Sequence, residues 1–454
     1  MKQVLKENES ILNIIGKAKE SANGYRLSHY TAVEEIDDGF LLYNTLTCGM
    51  VLLTPEEYEH VLDSQELRRK WYVVPNALEE KKIVNMVRWL QKTMNKERDG
   101  ITNFIVYTTT DCNARCFYCF ELGRKRIPMD DKTANKTADF IIKNHNGSPI
   151  TINWFGGEPL FNTSAMDIIC HRLKDAGISY TTSTTSNGYL FNDENVSKCI
   201  DLWNLNRVQI SMDGTEAVYN KAKRYIYKEG NPFQIVMDNI QRLLDRGICV
   251  AVRVNMDFHN IEDLHVFTED LARRFGSYRK FFMYAHLIID ETKEWYEHHS
   301  LEEWTTLYEE KARLEKKMLD LGIYSKRSPR LAKKPPMIAC MAENSNSIVI
   351  APDGRLGVCE HYSETEIIGH LDSPERDQAV INSFRQHWED IPECDTCVWY
   401  PQCVRLKKCP YTMACIQPER KDTLDNLAAA MRYEYRRWLE NIQEDDNFEP
   451  EEDD

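Results

Sequence analysis

The chain has 454 residues, a net charge of −15, 42% hydrophobic and 28% charged residues. That length accommodates two or three domains with their own cores, and the acidic balance argues against nucleic acid as a general partner. Apolar runs are only a few residues long and the start, Met1 to Ser10, lacks an apolar export segment, so neither a membrane span nor a signal peptide is expected, and the cytoplasm is the expected location. In that reducing compartment the 14 cysteines are better read as metal or cluster ligands than as disulfides.

Residues 1–97 read as a separate unit. Two strand-like runs, Leu27–Ile36 and Phe40–Leu53, flank the turn Asp37-Asp38-Gly39. Thr54, Pro55 and Glu57 then form a capping box that starts a helix. A second helix over Ala77–Lys96 puts Ile83, Val87, Leu90 and Met94 on one face. This order suits a small winged-helix-like unit, and equally an extension that pads the next domain.

Residues 98–295 alternate strand and helix. Strands are expected over Phe104–Thr110, Pro149–Phe155, Tyr180–Ser186, Arg207–Met212, Val250–Met256 and Phe281–Ile288. Helices are expected near Lys132–Lys143, Ser164–Asp175, Glu194–Leu202, Phe233–Asp245 and Ile261–Phe275. Six βα units imply an α/β fold with a parallel sheet curled into a partial barrel, with chemistry at the carboxyl ends of its strands. Residues 296–336 follow as a bridge, with an amphipathic helix over Leu301–Leu321 and a basic, proline-bearing linker over Lys326–Pro336. A cysteine-rich domain spans 337–440. It ends in a helix marked by Leu424, Leu427, Met431 and Trp438, and an acidic tail over 441–454 reads as disordered.

Directly after the first barrel strand stand Cys112, Cys116 and Cys119, in the order CxxxCxxC with Tyr118 before the last. Three thiolates so spaced can hold three irons of a 4Fe–4S cube and leave the fourth iron for a chelating small molecule; a bare spacing of this kind also suits zinc. The second strand ends in Gly156-Gly157-Glu158, and later strands end at Ser186-Asn187, Ser211 and Arg253, with Arg224 beyond the Met-Asp-Gly turn. Taken together these stretches resemble the radical S-adenosylmethionine (SAM) enzymes over nearly the whole barrel. The resemblance implies a SAM-chelated cluster on the three cysteines. It places Tyr118, Gly156, Gly157, Glu158, Ser186, Asn187, Ser211, Arg224 and Arg253 at the SAM molecule, with Arg253 forking onto its carboxylate. The implied chemistry is hydrogen abstraction by a 5′-deoxyadenosyl radical.

A further seven cysteines lie between Cys340 and Cys415. Paired cysteines fit a zinc ribbon, but their order is similar to the SPASM extension of radical SAM enzymes, which holds two auxiliary 4Fe–4S clusters. The resemblance assigns Cys394, Cys397, Cys403 and Cys415 to the distal cluster, and Cys340, Cys359 and Cys409 to the proximal one. The chain departs from that pattern at Lys333–Ala339, where many relatives have an eighth cysteine. The proximal cluster then has an open iron, available to a substrate cysteine or to Glu360, His361 or solvent.

The three-part order resembles maturases of ribosomally made peptides of the ranthipeptide and sactipeptide kind. It implies a precursor peptide whose leader docks on the N-terminal unit as an added strand, and an electron donor such as flavodoxin or ferredoxin. Thioether formation between a cysteine sulfur and a carbon is the expected reaction. Carbon–carbon crosslinking, formylglycine formation in a sulfatase, and a non-catalytic peptide-binding scaffold are the alternatives, in that order. Cys48, Cys170, Cys199 and Cys249 read as structural thiols.

Overall fold

In the computed structural model the described residues are 1–16, 22–95, 100–121, 123–227, 229–288, 300–324, 331–333, 340–343, 345–362, 364–373, 375–403, 405–409, 415 and 417–446. The expectations for the Met94 side chain, most of the linker Lys326–Pro336, and tail residues 447–454 lie outside them. Among the described residues no helix is long and apolar enough to cross a membrane.

The N-terminal unit is built on β1 (Lys2–Leu5), β2 (Tyr25–Leu27), β3 (Thr31–Ile36), β4 (Gly39–Asn44), β5 (Met50–Leu53) and β6 (Val73–Pro75). Four of these form an antiparallel sheet in the order β1-β5-β4-β3, while β2 pairs with β6. The two long strands expected from the sequence are thus four. Leu27–Ile36 breaks where Ser28 Oγ and the His29 backbone turn to bond Glu80. Phe40–Leu53 breaks where the Asn44 side chain accepts from the backbones of Leu46 and Thr47, a local bond that competes with the ladder. The capping box at Thr54 and Glu57 forms as expected, on a short helix, Pro55–Glu59.

The central sheet follows the βα alternation. Its strands are β7 (Asn103–Thr109), β8 (Ile150–Gly156), β9 (Tyr180–Ser186), β10 (Leu205–Met212), β11 (Cys249–Met256) and β12 (Phe281–Leu287), each parallel to the next. Residues on both faces of β7 are buried, as in a parallel strand covered by helices on one side and barrel interior on the other. Side-chain caps at Asp130, Asn192 and Asn231 start three of the covering helices by accepting backbone N–H groups, replacing partners that a helix start lacks. One helix of this layer, Glu216–Lys223, has no counterpart among the sequence expectations.

Beyond the six units the sheet continues. β13 (Ser347–Ile350) joins β7 in parallel, and β14 (Arg355–Gly357) and β15 (Gly369–His370) extend it to nine strands. The C-terminal cysteine region is therefore stitched to the barrel edge nearest the Cys112–Cys119 loop. The bridging helix Leu301–Asp320 keeps its Ser300/Glu303 capping box. The last helix runs over Gln417–Asp446, so residues 441–446 of the expected tail are helical; Glu and Gln propagate a helix readily.

Candidate functional site: a cysteine-lined cavity at the strand ends

Burial at the strand ends dictates the site's backbone. The Gly157 and Glu158 backbone N–H groups donate to Thr109 O at 3.1 Å and Asp111 O at 2.9 Å, which pins the start of the cysteine loop onto the end of β8. A Cβ on Gly156 would stand 2.0 Å from Thr109 O, and one on Gly157 would stand 2.4 Å from Asp111 O. Both positions need glycine for this close approach. The loop's far side is held by the Arg115 backbone N–H, which donates to Lys223 O at 2.8 Å.

The result is a cavity of about 550 Å³ lined by Cys112, Cys116, Tyr118 and Cys119, by Gly156 and Gly157, and by Ser186, Asn187, Ser211 and Arg253. Ten of the residues expected from the sequence thus converge. The Asn187 side-chain amide donates to Cys112 Sγ at 3.7 Å and to Asn113 Oδ1 at 2.6 Å. Burial pushes the Cys112 thiol up to about 12 and the Cys119 thiol up to about 11. Protonated thiols are costly to ionise here unless a cation takes the proton's place. Among the described residues no three His, Cys, Asp or Glu side chains converge as they would on one ion. The ligands of a cube need not do so, because each binds a different corner. Three soft thiolates with no further ligand of their kind fit a 4Fe–4S cluster that leaves one iron open.

Two expected residues stand elsewhere. Glu158 is fully buried behind the wall, where it accepts from Ser186 Oγ (2.8 Å), the Asn187 backbone N–H (2.8 Å) and the Leu160 backbone N–H (3.2 Å). These bonds tie it to Ser186 and Asn187, which line the cavity. Arg224 is exposed; it caps the helix Glu216–Lys223 in the left-handed conformation, and its Nε donates to Arg115 O at 2.9 Å. The helix phase brings Lys223 inward instead.

Lys223 is the residue the sequence reading missed. It is 1% exposed, donates to Ser211 Oγ at 2.7 Å and Tyr118 OH at 2.9 Å, and pairs with Asp213 Oδ2 at 3.3 Å. Burial alone would push its ammonium down, but Asp213 and the Cys116 sulfur outweigh it and hold the pKa above the ordinary value. Asn255 ties the same network together by donating to Tyr118 OH and Asp213 Oδ1. The only signal was position: a basic pair, Lys223-Arg224, of which one had to face in.

Glu121 and His286 also line the cavity. Burial pushes the Glu121 carboxyl up to about 7, only partly offset by Arg124 at 3.7 Å. Burial, then the charge of Arg253, lowers His286 to about 3, so this imidazole is neutral. Nε of Arg253 is buried without a hydrogen-bond partner, a donor that an anionic group in the cavity would satisfy.

Glu360 and His361 complete the cavity wall from the C-terminal region. Their backbone carbonyls accept from Tyr107 OH at 2.6 Å and Arg124 Nη2 at 2.8 Å. Cys359, immediately before them in the chain, lies within electrostatic reach of Cys340 and Cys409, and all three pack against the main core. Cys394, Cys397, Cys403 and Cys415 line a second cavity, also of about 550 Å³. Its outer wall includes Arg88 and Trp89 of the helix Glu80–Asn95, and Arg88 Nη2 donates to Cys403 O at 2.7 Å. The sequence grouping of the seven cysteines is thus the spatial grouping. Cys48, Cys170 and Cys199 are buried as expected, whereas Cys249 is half-buried.

Glu158 carries a pH prediction. Burial raises its carboxyl to about 7, from an ordinary value near 4.5, against the pull of its hydrogen bonds. Below that ordinary value folded and unfolded chains are both protonated. As pH rises from about 4.5 to 7 the unfolded chain ionises first and binds fewer protons, so stability falls across that window, by roughly 3 kcal/mol from this group. Thermal unfolding of Glu158→Gln should lose this component of the pH slope; an unchanged slope would assign the titration elsewhere.

Residues 106–271 match the Radical SAM superfamily. An uncharacterized protein of Methanocaldococcus jannaschii is 33% identical over 138 residues, 30% of this chain and 45% of that one. A probable GTP 3′,8-cyclase of Archaeoglobus fulgidus is 24% identical over 300 residues, 63% of this chain and 95% of that protein. This chain therefore spans about half the length of the first relative and nearly all of the second. Among solved structures, anSMEcpe with bound AdoMet superposes with a TM-score of 0.55 at 15% identity, covering 76% of this chain and 96% of its own. Streptococcus suis SuiB bound to precursor peptide SuiA gives 0.51 at 12% identity, covering 84% and 94%. Both are likenesses of fold. The parallel strand order and the placement of the cysteine loop at the strand ends agree with that match of residues 106–271 to the Radical SAM superfamily.

Proposed function

We propose that the chain is a radical SAM enzyme that modifies a ribosomally made precursor peptide, joining a cysteine sulfur to a carbon as an intramolecular thioether. The observation that carries this reading is the contact between two sulfur-rich sites: the wall of the Cys112–Cys119 cavity is completed by Glu360 and His361, the residues that directly follow Cys359. A substrate reaching the first site is thereby brought beside the second. The anSMEcpe and SuiB structures, which hold AdoMet and a precursor peptide respectively, support the same reading by their fold.

When bound, a 4Fe–4S cluster with SAM supplies a 5′-deoxyadenosyl radical that abstracts a substrate hydrogen atom. The chain's own residues bind and orient. Cys112, Cys116 and Cys119 would hold the SAM cluster, and the orphan Nε of Arg253 would meet the SAM carboxylate. Ser186, Asn187 and Ser211 offer hydroxyl and amide groups to the amino and ribose groups, with Glu158 and Lys223 fixing their rotamers. Cys340, Cys359 and Cys409 would hold a proximal auxiliary cluster, and Cys394, Cys397, Cys403 and Cys415 a distal one. Three protein ligands would leave a proximal position for the substrate thiol. Residues 1–97 would take the leader peptide, and a flavodoxin or ferredoxin would deliver electrons.

The alignment over 95% of a probable GTP 3′,8-cyclase favours a second reading, a nucleotide substrate. Anaerobic incubation with SAM, reductant and the cysteine-bearing short peptide encoded nearest to this protein separates them. A product lighter by two hydrogens whose cysteine resists alkylation is expected. An alkylatable cysteine would indicate carbon–carbon crosslinking, and conversion of GTP alone would replace the peptide reading.

A further inference from the structure

Four tyrosines form a continuous column beside the site. Tyr219, on the helix Glu216–Lys223, is fully buried. Its hydroxyl meets that of Tyr225 at 2.8 Å, with ring centroids 6.2 Å apart. Tyr225 lies 4.9 Å from Tyr189, and Tyr189 stacks on Tyr227 at 4.8 Å. Tyr227 is 37% exposed. At the inner end the Tyr219 and Tyr225 hydroxyls both approach Asn187 O, at 3.4 and 3.3 Å, and the Asn187 side chain touches Cys112 Sγ. The column thus runs from one residue behind the cavity wall to the surface. Apolar packing would have been served as well by phenylalanine, and a phenol pair, one member fully buried and the other half-buried, that bonds to itself and to one backbone carbonyl among the described residues is an unusual use of polar groups.

We propose that Tyr219, Tyr225, Tyr189 and Tyr227 form a relay that carries an oxidising equivalent from the SAM site to the surface when a radical forms there without substrate. The proposal rests on the radical SAM reading above. A carbon radical at the site gains one electron and one proton and becomes a C–H bond, while the inner tyrosine pair loses one electron and one proton and becomes a phenoxyl radical. The hydroxyl pair of Tyr219 and Tyr225 lets the proton shift as the electron leaves. The hole then passes through the ring contacts to Tyr227, which releases its proton to solvent as it loses the electron, while the inner phenol regains one electron and takes one proton from water. The Tyr227 phenoxyl then takes a hydrogen atom from a small cellular thiol, restoring the phenol and leaving a thiyl radical. Burial raises the phenol pKa values of Tyr219 and Tyr225 far above the ordinary value, so both hold their protons until oxidised. Such a relay would spare Cys112, Cys116 and Cys119 from damage during idle SAM cleavage.

The test uses the full-length, cluster-loaded protein with SAM and reductant, without peptide, plus a phenoxyl-trapping luminol derivative. Labelled tyrosines are mapped by mass spectrometry, and 5′-deoxyadenosine is measured in the same samples. Labelling at Tyr227 that requires SAM and exceeds that of other exposed tyrosines about tenfold is expected. In Tyr225→Phe and Tyr189→Phe, which keep the ring volume but have no O–H to oxidise, that labelling should fall at least tenfold with 5′-deoxyadenosine formation unchanged. Thermal unfolding confirms that the variants are folded. Labelling unaffected by either substitution, or spread evenly over exposed tyrosines, would overturn the relay. Absence of 5′-deoxyadenosine in the wild type would instead overturn the radical reading, and the relay with it.

Discussion

Gly157→Ala should detach the cysteine loop from the barrel. The added methyl would stand 2.4 Å from Asp111 O, 2.7 Å from Asp111 C and 2.9 Å from Thr110 O. All three are backbone atoms and cannot swing aside as the end of a side chain can. Relief therefore requires moving the segment that begins the CxxxCxxC loop, breaking the bonds from the Gly157 and Glu158 N–H groups to Thr109 O and Asp111 O. Forcing volume into such a fit costs about 1–3 kcal/mol, and two strained backbone bonds add about 1 kcal/mol each. The expected result is a clear drop in the unfolding midpoint together with loss of the iron that Cys112, Cys116 and Cys119 are proposed to hold. A variant with wild-type stability and iron content would mean that this contact does not shape the site.

The second large effect belongs to Lys223→Met. Methionine has nearly the same length and buries well, so packing is preserved while the charge is removed. Asp213, 2% exposed, would keep neutral partners such as Asn255 but lose its ammonium and become a buried carboxylate with no countercharge from Lys223. Breaking a buried pair from one side costs about 3–5 kcal/mol, whereas replacing both members is far milder. The double variant Lys223→Met with Asp213→Asn should therefore be more stable than Lys223→Met alone, as unfolding with denaturant would reveal. Tyr118 and Ser211, released by the lost ammonium, should also weaken SAM binding in the single variant. If the two substitutions simply add, the pair is not coupled.

Legibility in the sequence followed the range of the interactions. The six barrel strands and five of their helices appear within a residue or two of their expected bounds, because hydrophobic periodicity sets them all and a local cap starts three of the helices. The cysteines were readable because spacing along the chain survives as spacing in the loop. What escaped depends on tertiary context. Ser347–Ile350 is too short a β-branched run to announce that it completes the barrel edge against β7. The inward turn of Lys223 rather than Arg224 is decided by the phase of a helix, Glu216–Lys223, that the periodicity did not reveal. That the Glu158 carboxylate accepts from Ser186, Asn187 and Leu160 depends on how the ends of two strands meet, which its place after two cavity glycines does not reveal. In the N-terminal unit the strands broke where Asn44 and Glu80 offered the backbone alternative partners, a choice invisible to alternation alone.

The central claim, a radical SAM site on Cys112, Cys116 and Cys119 with auxiliary clusters on the C-terminal cysteines, is tested most directly by anaerobic iron and sulfide analysis with a SAM cleavage assay. The comparison is between the wild type and a variant combining Cys112→Ala, Cys116→Ala and Cys119→Ala. About twelve irons in the wild type, falling by about four in the variant with complete loss of 5′-deoxyadenosine, is the result expected for three 4Fe–4S clusters. Zinc in place of iron, or 5′-deoxyadenosine formation that survives the triple substitution, would contradict it.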